Sequence, residues 1–188
     1  IYCLVNLCGG SEYGTEWYHA GTLERKQNVF DDFIAAGQHL IHTNWTSAPK
    51  LSLNGGSNGG LLVAACMLQR PELFGAVVCR VPMLDMLRYH RFTIGRYWAS
   101  DYGNAEENPA HFEFLITYSP LHNIKARQIY PPILLTTADH DDRVVPAHAY
   151  KFAATMQAAN PSNTVLLRVD TDAGHGRGKP LNKVLEER

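Results

Sequence analysis

Ser57 sits at the centre of Gly55-Gly56-Ser57-Asn58-Gly59-Gly60, between an apolar-alternating run (Leu51, Leu53) and an apolar helical run over residues 61–68. Gly55-x-Ser57-x-Gly59 fits the sharp strand-to-helix turn that lifts a serine hydroxyl clear of a sheet. Small neighbours let strand and helix approach, and the chain is forced into a strained conformation at the serine. The chemistry of such a turn is nucleophilic attack on an acyl carbon, with the backbone N–H of Asn58 aimed where an oxyanion forms. A glycine-rich strand–helix turn with an idle serine, or a phosphate loop, has the same composition. The strand before and the helix after it favour the nucleophile.

A serine nucleophile needs a base and an acid that orients it. Among nine histidines, His175 lies between Gly174 and Gly176 in a loop after the last expected strand, with room to reach two partners. His140 and His148 lie beside or beyond an aspartate cluster and read as surface or capping residues. The acid candidates Asp139, Asp141 and Asp142 share one strand end, and spacing alone does not separate Asp139 from Asp141. The chain order Ser…Asp…His is that of α/β-hydrolases.

The elements that must hold these groups follow from periodicity. Residues 1–7 form a near-continuous apolar run, expected as a buried strand, before the Gly9-Gly10 turn. Residues 27–45 carry helical spacing through Phe30, Phe33, Ile34, Gly37, Leu40 and Ile41, with Asp31 and Asp32 near the positive end. A helix over residues 59–69 ends at Arg70-Pro71, because a residue preceding proline disfavours helix. Strands are expected at 76–81, 133–138 and 164–169, and a proline-opened helix at 146–159. Residues 83–130, rich in aromatics and histidine, read as loops and short helices laid over a sheet edge. Alternating strands and helices make this an α/β protein with a mostly parallel sheet, helices on both faces, and function at the carboxyl ends of strands.

The bulk properties exclude several classes. The chain has 188 residues, 45% hydrophobic and 19% charged, with a formal net charge of −1. That is enough for one core and gives no field for nucleic acid or an anionic membrane. No apolar run reaches the roughly 20 residues of a membrane span. The four cysteines form no C-x-x-C pair, which suits free thiols in a reducing, cytoplasmic setting.

Several longer stretches, in order, resemble the catalytic domain of the prolyl oligopeptidase family. They are Gly9-Gly-Ser-Glu-Tyr-Gly14 with Trp17, Phe30-Asp-Asp-Phe33, the elbow, Gln69-Arg-Pro71, Thr93-Ile-Gly-Arg-Tyr-Trp98, Ser119-Pro-Leu-His122, Ala138-Asp-His-Asp-Asp-Arg-Val-Val-Pro146, Ala173-Gly-His-Gly176 and Gly178-Lys-Pro180. The resemblance implies an α/β-hydrolase fold and hydrolysis of short peptides after proline, through an acyl-enzyme and without metal or cofactor. It implies Ser57 as nucleophile, His175 as base, Asp141 as acid, and the Tyr13 hydroxyl with the Asn58 N–H as oxyanion hole. It implies Trp98 stacked on the substrate proline, Tyr102, Val144 and Met83 as pocket walls, and Arg143 on a substrate carbonyl. Cys8 stands where the family usually has arginine, Ser11 where it has glycine, and Met83 where it has valine; Met83 is expected to narrow the pocket.

Residues 1–188 then form one catalytic region. The family's early strands, its final helix and a screening β-propeller are expected outside the chain, the propeller in cis. A dipeptidyl peptidase, an acylaminoacyl peptidase, a basic-specific oligopeptidase, an esterase and a catalytically silent fragment are the alternatives.

Overall fold

The computed structural model describes residues 1–176 and Leu185. In chain order the elements are α1 (Thr15–His19), α2 (Gln27–His42), β1 (Ser52–Gly56), α3 (Asn58–Gln69) and β2 (Ala76–Arg80). Then come α4 (Ala99–Tyr102), α5 (Pro109–Tyr118), β3 (Ile133–Ala138), α6 (Ala147–Ala159) and β4 (Val165–Asp170), with short 3-10 turns between. The four strands pair in parallel in the order β1-β2-β3-β4.

Register builds the core. Leu53, Val77, Ile133 and Val165 align across the sheet, followed two residues on by Gly55, Cys79, Leu135 and Leu167. Leu53, Val77, Cys79, Leu135 and Val165 join one apolar cluster with α3 and α6 side chains such as Leu61, Met67, Phe152 and Met156. The α3 helix is apolar on most of its circumference and buries eight residues, as a helix enclosed by sheet and neighbours must. It stops at Arg70, ahead of Pro71. In α5, Asn108 caps the start by accepting the Ala110 N–H at 2.9 Å, and Pro109 occupies the first turn.

On the opposite sheet face Val78 and Leu134 are half-buried and Leu166 is exposed. The Gly178-Lys-Pro180 match lies outside the described residues.

Two expectations are corrected. Residues 1–7 are not a strand: they pair with no described strand, and Ile1, Tyr2 and Leu4 are exposed. An apolar run satisfies the strand pattern, but a ladder needs a neighbour's hydrogen bonds, and this segment has none among the described residues. Residues 83–130 do not merely cover an edge. They connect the central strands β2 and β3, and Tyr89, Tyr102, Leu115 and Tyr118 are members of the main core.

No described helix is long and apolar enough to cross a membrane.

Candidate active site

The β1–α3 turn holds Ser57 at φ 59°, ψ −118°. This is a left-handed conformation that costs a non-glycine residue about 1–3 kcal/mol and persists only where the surroundings enforce it. Here they do. The Ser57 N–H donates to the Arg80 carbonyl at 2.9 Å, and the Ser57 carbonyl accepts from Gly60 and Leu61. Of the flanking glycines, two are required by space. A Cβ on Gly55 would collide with the Gly59 carbonyl, and one on Gly60 would meet Pro82 Cβ at 2.6 Å. Gly59 faces open space, so the second glycine of the G-x-S-x-G pattern is the less constrained one.

His175 reaches Ser57 from the loop after β4, with Nε2 at 3.0 Å from Oγ. Its Nδ1 lies 2.6 Å from Asp141 Oδ2. An ionised carboxylate only accepts, so Nδ1 carries the proton and Nε2 is free to accept from the serine hydroxyl. Asp141 is itself fixed: its Oδ1 accepts the N–H groups of Arg143 at 3.0 Å and Val144 at 2.9 Å. Its side chain is wholly buried, while that of His175 is 18% exposed, so the pair opens outward only on the His175 side.

Asp139 and Asp141, inseparable by spacing, take different work. Asp139 is exposed and pairs with His140 at 2.7 Å, and this hydrogen bond holds its carboxyl down at about 2. Its oxygens also accept the N–H groups of Asp172 and Ala173, so it ties down the loop that carries His175. His140 adds an N–H bond to the Ala173 carbonyl at 3.0 Å.

Tyr13 stands in the turn before α1, 67% exposed, its ring edge-on to Trp17 at 5.1 Å. Its hydroxyl meets no described hydrogen-bond partner, nor does the backbone N–H of Asn58. The turn is anchored without the arginine that Cys8 replaces: the Cys8 backbone N–H donates to Asp32 Oδ2 at 2.9 Å. Asp32 was expected to complement the helix end; instead it binds the glycine loop.

Trp98 is half-buried and stacks on Tyr89, with ring centroids 6.4 Å apart and planes 12° from parallel. Tyr102 is buried, and its hydroxyl donates to Asn58 Oδ1 at 2.7 Å. The aromatic wall and the elbow are therefore directly linked. A second link runs from the Tyr18 hydroxyl on α1 to Asp101 on α4, joining the Tyr13 loop to the helix that follows Trp98. Arg143 is exposed, whereas Met83 and Val144 are buried in the core at 3% and 2% exposure.

His148, expected at the surface, is 2% exposed. Its Nδ1 accepts the N–H groups of Leu84 at 3.3 Å and Asp85 at 3.1 Å, clamping the loop that carries Met83 to α6. Met86 N–H is held likewise by Ser119 Oγ at 3.0 Å. The sequence signal for this clamp is absent, because its members are 63 residues apart or more in the His148 pairs. Burial pulls His148 down to about 4; Asp85 and Asp141 act to raise it and Lys151 to lower it, and Phe92 packs edge-on.

Folding therefore favours the neutral ring. Between an unfolded value near 6.5 and the folded value, the unfolded chain binds a proton that the folded chain does not. The contribution is full above pH 6.5 and falls away as pH drops toward 4, by about 3 kcal/mol in all. His148→Asn keeps an acceptor without titrating. Denaturant unfolding at pH 7 and pH 4.5 is expected to show a smaller pH loss in the variant than in the native protein; equal losses contradict this role for His148.

The chain is similar to known proteins. The family model described as the prolyl oligopeptidase family matches residues 1–188. A prolyl endopeptidase of Elizabethkingia miricola is 51% identical over the whole of the chain, which covers 27% of that protein. A solved prolyl endopeptidase structure superposes with a TM-score of 0.94 at 52% identity, over 97% of this chain and 27% of the other. A post-proline cleaving enzyme from Rickettsia typhi superposes at 0.87 with 43% identity, over 91% of this chain and 24% of the other. The chain thus spans about a quarter of the length of the relatives it matches.

Proposed function

This chain belongs to the prolyl oligopeptidase family, and from that premise we propose that it is the catalytic region of a serine peptidase that cleaves short peptides on the carboxyl side of proline. The observation that carries the reading is the pair of contacts from Ser57 Oγ to His175 Nε2 at 3.0 Å and from His175 Nδ1 to Asp141 at 2.6 Å, set on a strained elbow.

In this mechanism His175 takes the Ser57 proton as Oγ attacks the carbonyl carbon of the proline. Asp141 holds the imidazole in the Nδ1–H tautomer and stabilises the imidazolium that forms. The Asn58 N–H and the Tyr13 hydroxyl receive the oxyanion. His175 then protonates the leaving amine, and a water activated by the same ring releases the acyl group. No step calls for a metal or cofactor.

Proline offers a rigid ring and no N–H, so its recognition rests on shape and aromatic contact. We assign that contact to Trp98, backed by Tyr89, with Tyr102, Val144 and Met83 as walls and Arg143 on a substrate carbonyl. The whole region 1–188 acts as one catalytic unit. A substrate-screening propeller in the same polypeptide and a cytoplasmic location belong to the same proposal, the latter supported by four free cysteines.

Two variants test the pocket and the oxyanion hole. Trp98→Ala is expected to lower kcat/KM for proline peptides more than for alanine peptides; an equal loss on both gives Trp98 a structural role only. Tyr13→Phe deletes one hydroxyl from an exposed ring, so the fold is retained. Losing one oxyanion donor slows acylation by about 10²–10³. A rate within a few-fold of the native protein removes Tyr13 from the mechanism.

A further inference from the structure

A cavity of about 200 Å3 lies beside the elbow, bounded by the glycine loop, the start of α2 and the start of α3. Lys26, Glu12, Phe30, Gly59 and Leu62 are among its walls. Lys26 is 6% exposed. Its ammonium has no hydrogen-bond acceptor and no carboxylate within 4.0 Å among the described residues, and its one described contact is the Tyr102 ring, 5.1 Å from the centroid. Asp101, the carboxylate whose charge acts on Lys26, is engaged by the Tyr18 hydroxyl. A buried charge without a counter-ion is costly. Burial pulls the amine down to about 8, which still leaves it mostly protonated at neutral pH.

A second source of positive potential meets the same space. The 12-residue α3 begins at Asn58, and the N–H groups of Asn58 and Gly59 have no acceptor among the described residues. The N-terminus of a helix carries roughly half a positive charge. Lys26 and the start of α3 thus line one cavity. Glu12, exposed on the wall, is the one acidic group there, and Leu7, Phe30 and Leu62 supply an apolar side. The volume is below the roughly 300–1,000 Å3 of a drug-sized site and suits a single residue.

We propose that this cavity binds the free C-terminal residue of a short peptide, with its carboxylate on Lys26 and the Gly59 N–H, its own N–H toward Glu12, and its side chain against Leu7, Phe30 and Leu62. The assignment rests on the peptidase reading for its ligand class, and it gives the enzyme a means of favouring peptides whose free end lies close to the cleaved bond.

The test compares two short proline peptides, identical except that one ends in a free acid and the other in an amide. A charge-assisted hydrogen bond is worth about 1.5–3 kcal/mol, so the acid is expected to have the higher kcat/KM by roughly 10- to 100-fold. Lys26→Met is expected to bring that ratio near one while leaving cleavage of the amide within a few-fold. Lys26→Arg keeps a preference, which separates loss of charge from loss of fold. Equal rates on the two peptides in the native protein, or a preference that survives Lys26→Met, overturn the proposal.

A binding arm stands apart from turnover. Calorimetry on Ser57→Ala is expected to detect N-acetyl-leucine but neither N-acetyl-leucinamide nor inorganic phosphate, and Lys26→Met is expected to abolish the signal. Phosphate bound as well as N-acetyl-leucine marks a general anion site and overturns the assignment to a peptide terminus. Lys26-dependent binding of N-acetyl-leucine in a protein that cleaves no proline peptide sustains the cavity and refutes the peptidase reading instead.

Discussion

Replacing Ser57 with alanine is expected to abolish peptide turnover, with a loss of about 10⁶ in kcat. The size follows from the geometry. Ser57 Oγ is 3.0 Å from His175 Nε2, and its backbone is held at φ 59° by contacts from β2 and α3. The strain is sustained by the rest of the fold and places one hydroxyl where the relay ends. Without that hydroxyl the imidazole has no nucleophile to activate, and only binding and the oxyanion donors remain. A fluorophosphonate probe checks the same point independently of substrate choice: it labels the native protein at Ser57 and leaves Ser57→Ala unlabelled. Labelling at another serine contradicts the assignment.

Asp141→Asn is expected to cost about 10⁴ in kcat. Asp141 Oδ1 already accepts two backbone N–H groups, so the amide oxygen of an asparagine is drawn to that side and its NH2 turns toward His175. The ring then takes the opposite tautomer, with its proton on Nε2 facing Ser57, and cannot act as base. The buried side chain offers no solvent to correct this. Asp139→Asn is expected to do far less to catalysis. That carboxylate touches the His175 loop through the backbone of Asp172 and Ala173, and an asparagine oxygen keeps an acceptor there. Comparing the two variants under single-turnover conditions decides between the acids, and a larger loss for Asp139→Asn would reverse their roles.

What the sequence revealed divides along a physical line. Elements set by local rules were legible: the elbow from its glycines, the end of α3 from Pro71, the opening of α6 from Pro146, and from short apolar runs the strand at 133–138 and the last strand, expected at 164–169 and found at 165–170. Residues 1–7 were misread because an apolar run reports a wish for burial and says nothing about a partner strand. The site was legible to the extent that order along the chain reports it. Ser57 and His175 stand out by their glycine settings, whereas Asp139 and Asp141 differ only in three dimensions. One faces the relay and the other the loop beneath it. Asp32 on Cys8, His148 under residues 84–85 and Lys26 over the Tyr102 ring are long-range pairings with no local pattern. Each holds a loop or a space beside the site, which is where tertiary context overrides propensity.

Cleavage after proline is tested by kcat/KM of the intact protein on three chromogenic peptides, identical except for proline, alanine or arginine before the cleaved bond. The highest value is expected for proline, a clearly lower one for alanine, negligible turnover for arginine, and none with Ser57→Ala. Equal or greater turnover of the alanine or arginine peptide would contradict it.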